Sequence, residues 1–190
     1  MNECVSTRKS TFGAVVLALA LGCGGGGGGN DDVTVRGVGR IPDSAGGGVA
    51  ANQGFAVNDL AAIAGPPLAT GTTDADGAYE ATIEGNRNIF VVINGARDQG
   101  NGVRVSGLME PDEQSAKDFN GVTDIACEAG VTAVAEGALD AEDLDLERIA
   151  NLEAGAATVA AGVDFTNPAS VSAAAAEVRV ITNDGANPPA

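Results

Sequence analysis

The sequence predicts an α+β protein: an N-terminal antiparallel β-sandwich over residues 33–110, then a small C-terminal alanine-rich helical bundle over residues 120–184. Three observations carry this expectation. Short runs of alternating apolar and polar residues fill the first half, with glycine or proline roughly every ten residues, as in small all-β units. Apolar residues spaced three and four apart fill the second half, the period of a helix. Between them lies the polar stretch "MEPDEQSAKDFNG" with Pro111, so residues 111–119 read as a linker.

A segment of different character precedes the strands. Arg8 and Lys9 stand before an apolar run from Phe12 to Leu21. As a helix this run would rise only ~15 Å, against a membrane core of ~30 Å. It is too short to span and fits a signal peptide over residues 1–22. The run ends in "LALGC", Leu19 to Cys23, and six glycines follow at once, Gly24 to Gly29. This ending resembles a bacterial lipobox. The resemblance implies cleavage after Gly22 and a diacylglyceryl thioether on Cys23. Ala20 stands where the preferred leucine would be, with Leu19 one place further out. An ordinary secretory signal with an incidental cysteine is the alternative. Residues 23–32 would then be a lipidated cysteine and a flexible linker holding a domain ~15 Å from its anchor. Two or three acyl chains, palmitate among them, give stable anchoring to the membrane. Gly24 is not the aspartate associated with inner-membrane retention. The resemblance therefore implies a cell-envelope lipoprotein of the outer membrane, with its displaying face left open.

Charge and composition narrow the function. The chain has 10 basic and 26 acidic residues. Loss of residues 1–22 takes Arg8, Lys9 and Glu3 with it, leaving 8 against 25 and a net charge near −17. Such a surface argues against nucleic acid and against adhesion to anionic lipid. There is no histidine and no tryptophan. Histidine-based triads, histidine-ligated zinc and the commonest general base are thereby excluded. Cys4 leaves with the signal and Cys23 would be blocked by lipid. Cys127 is then alone, with no thiolate metal site to join, and is expected as a small core residue. No enzyme and no cofactor are expected.

In the first half, "VTVRGV" alternates Val33 and Val35, with Val38 shifted in phase after Gly37. "GFAVND" carries Phe55 and Val57. "AYEATIEG" sets Tyr79, Ala81 and Ile83 against Glu80, Thr82 and Glu84. "NIFVVING" is a continuous apolar run, as in a central strand. "VRVSGLM" alternates Val103 and Val105 with Arg104 and Ser106. Between two of these strands, Asp74-Ala75-Asp76-Gly77 is a strong hairpin signal. Aspartate side chains bond to nearby amides, and glycine supplies a positive φ.

The string "LATGTTDADGAYEATIEG", with "GRIPD" upstream and "IFVVING" downstream, resembles the carboxypeptidase regulatory-like domain. That domain is a transthyretin-like β-sandwich, related to B-type surface repeats and to several starch-binding folds of carbohydrate-binding type. The resemblance covers about Val33 to Met109 and rests on Thr70, Thr72 or Thr73, Asp74, Gly77 and Tyr79. It implies a transthyretin-like sandwich that accompanies catalytic domains without being catalytic. Sugar-binding relatives stack aromatic residues on sugar rings, whereas Phe55, Tyr79 and Phe90 are expected in the core here. The isopeptide bond of B-type repeats needs a lysine inside the sandwich, and Lys117 is expected outside it.

Two further chemistries can be set on the hairpin. Thr72, Asp74, Asp76 and Gly77 match places one, three, five and six of an EF-type calcium loop. The twelfth place is Ile83 rather than a bidentate glutamate, so Asp74 and Asp76 are calcium candidates that a plain turn explains as well. Asp74, Asp76 and Glu80 could also form a carboxylate cluster, but their turn role accounts for them without catalysis.

In the second half, Val122, Ile125, Ala126, Ala129, Ala133 and Val134 recur at helical spacing. In the next helix Asp140 is expected to cap, with Asp143 in the capping-box place. Leu144, Ile149, Leu152, Ala156, Val159 and Val163 mark its inner face. In the third, Asn167 caps and Pro168 takes the first helical position. Val171, Ala174, Val178 and Ile181 face inward, Asp184-Gly185 ends the helix, and residues 185–190 form a disordered tail. The reading is a non-catalytic envelope lipoprotein with a binding or structural role. Its partners are the membrane, through the anchor, and an envelope protein or glycan, with no nucleic acid. The alternatives are a carbohydrate- or peptidoglycan-binding module and a low-affinity calcium-binding surface protein.

Overall fold

A computed structural model describes residues 32–93, 103–110 and 117–183. The expected signal segment, the expected lipidation at Cys23 with cleavage after Gly22, the stretch 111–116 and the expected tail 185–190 lie outside them. So does the helix end expected at Asp184-Gly185. Among the described residues the fold is mixed α+β, with six antiparallel strands in two sheets and three C-terminal helices.

The strands are β1 (Asp32–Val38), β2 (Gly54–Asp59), β3 (Ala69–Thr72), β4 (Ala78–Glu84), β5 (Ile89–Ile93) and β6 (Val105–Met109). β1 and β4 form a two-stranded ribbon, with Val35 opposite Ala81 and Gly37 opposite Tyr79. The other four form a sheet in the order β3-β2-β5-β6. Its register sets Val57 against Val91 and Val91 against Gly107.

Side-chain alternation divides the interior into two cores. Val35, Tyr79 and Ile83 of the ribbon meet Phe55, Val57, Ile89, Val91, Ile93, Val105 and Met109 of the sheet. Phe90 and Leu108 point from the opposite face into the helices. Both faces of β5 are thus covered, which is why its sequence is an unbroken apolar run rather than an alternation.

The helices are α1 (Gly121–Ala135), α2 (Leu146–Val159) and α3 (Pro168–Ile181). Ile125, Ala129, Leu152, Ala156, Val171, Ala174 and Val178 fill the helical core. Glycine at 130 lets the sheet come close: a Cβ there would stand 2.7 Å from Leu108 Cδ1.

Helix starts follow side-chain chemistry. The Asn120 carboxamide accepts from the amides of Val122 and Thr123, and the Thr123 hydroxyl accepts from the Asn120 amide, a reciprocal cap. Asn167 caps α3 with Pro168 at its start, as the sequence predicts. The expected cap at Asp140 is corrected. Asp140 precedes only a 3-10 turn, Ala141–Asp143, and makes no side-chain cap bond. Asp145 caps α2, accepting from the Arg148 amide at 2.9 Å. Leu144 is completely buried just before the helix, so the chain stays non-helical there while its side chain enters the core. Ile181 is corrected as well: it is 52% exposed at the end of α3.

The end of the expected linker is bonded into the fold. The amides of Lys117 and Phe119 donate to the carbonyls of Arg36 and Val38, and the Arg40 amide donates to Phe119 O. Residues 117–119 thus run alongside β1, with a parallel bridge between Gly39 and Phe119. Phe119 is fully buried and stacks on Tyr79 at 5.2 Å. Two glycines make room for this crossing. A Cβ on Gly37 would lie 1.8 Å from Lys117 O, and one on Gly107 would lie 2.2 Å from the Phe119 ring. A Phe119→Ala variant should lose about 3–5 kcal/mol of stability in urea unfolding, the range for emptying a buried aromatic site. A loss under 1 kcal/mol would mean the crossing does not hold the layers.

Candidate functional site

The hairpin turn builds itself from local bonds. Asp74 Oδ1 accepts from the amides of Asp76 at 2.9 Å and Ala78 at 2.8 Å. The Gly77 amide donates to Asp74 O, and the Asp74 amide to Ala78 O. Gly77 has φ +75°, the left-handed conformation that glycine adopts without strain. Of the calcium candidates, Asp74 has one carboxylate oxygen engaged by the backbone, Asp76 is exposed, and Thr72 lies exposed on β3. Glu80 is exposed on β4. Among the described residues, no group of three or more histidine, cysteine, aspartate or glutamate side chains is placed to hold a metal ion.

The neighbouring Thr73 is buried, and its hydroxyl accepts from the Gln53 amide at 2.9 Å and donates to Ala50 O. The hydroxyl thus ties the start of the turn to the chain ahead of β2. Tyr79 stands between the sheets, with Phe55 5.8 Å away, and its hydroxyl donates to Lys117 O at 3.0 Å. Burial, with Asp118 adding to it, pushes its phenol well above the usual range. Phe55, Tyr79 and Phe90 are all buried, so none offers a ring to solvent.

Lys117 sits at the edge of the ribbon and joins it to the helices. Its Nζ donates to Leu108 O on β6 at 2.9 Å and pairs with Glu153 on α2 at 2.7 Å. With its backbone on β1, this one residue touches the ribbon, the sheet and the helices. The periodicity of the sequence carries no signal for it.

A buried polar cluster lies where β6 meets α1, and sequence reasoning missed it. Asp124 is completely buried. Its Oδ1 accepts from the Ser106 hydroxyl at 2.6 Å and from Arg104 Nε at 3.3 Å. Arg104 also pairs with Glu128, which accepts from Ser172 on α3 at 3.1 Å. Thr123 donates to Ser106 O at 2.8 Å. Burial works against the Arg104 charge, but Asp124 and Glu128 outweigh it and raise its already high pKa. Cys127 lies in the same cluster. Burial pushes its thiol up to about 12, opposed by Ser106 and Arg104. At neutral pH it is a protonated, buried thiol, the opposite of a reactive cysteine. The one advance signal was the spacing of Asp124 and Glu128, a single helical turn apart beside buried positions.

A cleft of about 460 Å³ opens between the sheet and the connection from α1 to α2, lined by Asp59, Arg87, Asn88, Glu110 and Glu142 among others. Most of its polar groups are engaged in the fold. Asp59 pairs with Arg87 at 3.1 Å and accepts from the Ala61 amide. Asn88 donates to the carbonyls of Ala141 and Leu144. Glu110 accepts from the Leu146 amide at the start of α2. No helix of the described residues is long and apolar enough to cross a membrane. In comparisons with known proteins, no family model matches the chain and no curated protein matches it.

Three outcomes follow from this geometry. Asp74→Ala should lower stability by about 1–3 kcal/mol, since two amides lose their acceptor, while exposed Asp76→Ala stays within about 0.5 kcal/mol; thermal unfolding of both reads this. Arg104→Met should cost about 3–5 kcal/mol by leaving Asp124 buried without its cation, and Arg104→Met with Asp124→Leu should recover much of that loss. Folded Cys127 holds its proton more tightly than the unfolded chain does. Its contribution to stability is therefore complete below the usual thiol value of 9.0 and fades as pH rises toward about 12. Cys127→Ala should flatten that alkaline decline in unfolding free energy.

Proposed function

We propose that the protein is a non-catalytic lipoprotein of the cell envelope, held at the outer membrane by a lipid on Cys23, with a binding or structural role. One observation carries this reading: the order basic residues, ten-residue apolar run, Cys23 and six glycines, placed directly ahead of a module whose first strand starts at Asp32. An anchor and a flexible tether before a rigid body is the arrangement that displays a domain near a membrane.

The module itself we read as a transthyretin-like β-sandwich of the carboxypeptidase regulatory-like kind. The Asp74–Gly77 turn, Tyr79 buried behind it and the continuous apolar strand at Ile89–Ile93 support this. A non-catalytic role fits the described chemistry. The buried carboxylate is held by Ser106 and Arg104, the thiol is buried and protonated, and the hairpin aspartate is engaged by amides. Glycan binding by ring stacking would need an exposed aromatic residue, and Phe55, Tyr79 and Phe90 are buried.

Growth of producing cells with an alkyne-bearing palmitate, followed by fractionation, tests the anchor. Label on the wild type in the outer membrane and its loss in Cys23→Ala are the expected result. An unlabelled wild type would overturn the reading.

A further inference from the structure

We draw no further inference here: the strongest candidate, the outward stripe of Ala169, Ala173, Ala176 and Val180 on α3 with exposed Ile181 and the groove along Gly155 and Thr158 beside it, is an unpartnered apolar helix face, and nothing in the structure shows what covers it.

Discussion

Phe119 and the two residues before it decide how the layers meet. They lie along β1 through three backbone hydrogen bonds, and the ring fills the space that Gly107 leaves against the sheet. Tyr79 stacks on the ring and donates to Lys117 O, while Lys117 Nζ reaches β6 and Glu153 on α2. A two-stranded ribbon alone is marginal in water. Here it gains a third line of chain on one edge and a shared core beneath it. The same few residues lead directly into the capped start of α1, so the position of the helices is fixed from the ribbon side.

The opposite seam is polar. Asp124, Arg104, Ser106, Glu128 and Ser172 join β6, α1 and α3 through charge-assisted bonds. Burying charges brings a desolvation penalty, and such pairs often add little net stability over apolar replacements. Their directional bonds do fix register, and alanine-rich helices need that. Alanines bury little area each, so many near-equivalent packings would otherwise compete. The same economy explains the hairpin and the cleft, where polar side chains mostly satisfy backbone groups.

Much of the architecture was legible in the sequence because local rules govern it. Alternation marked β1, β4 and β6, and the unbroken run at Ile89–Ile93 marked a central strand, which proves to be covered on both faces. Asp74 and Gly77 gave the turn, and Asn167-Pro168 gave a helix start. Misreadings occurred where a local rule had a close competitor. Asp140 and Asp145 both suit a cap, and burial of Leu144 between them chose the second. Long-range partners left no local trace. Phe119 reads as one aromatic in a polar stretch until Gly37 and Gly107 are seen to accommodate its crossing. Arg104 and Ser106 occupy the outward phase of a strand whose second face proves to be covered by α1.

Native-state hydrogen exchange tests the central claim most directly: ribbon, sheet and helices are one cooperative unit joined through residues 117–119. The slowest amides of β1, β5 and α1 should share a single opening free energy and fall together in Phe119→Ala. Protection kept in α1 while β1 loses it would contradict the claim and make the helices an independent unit.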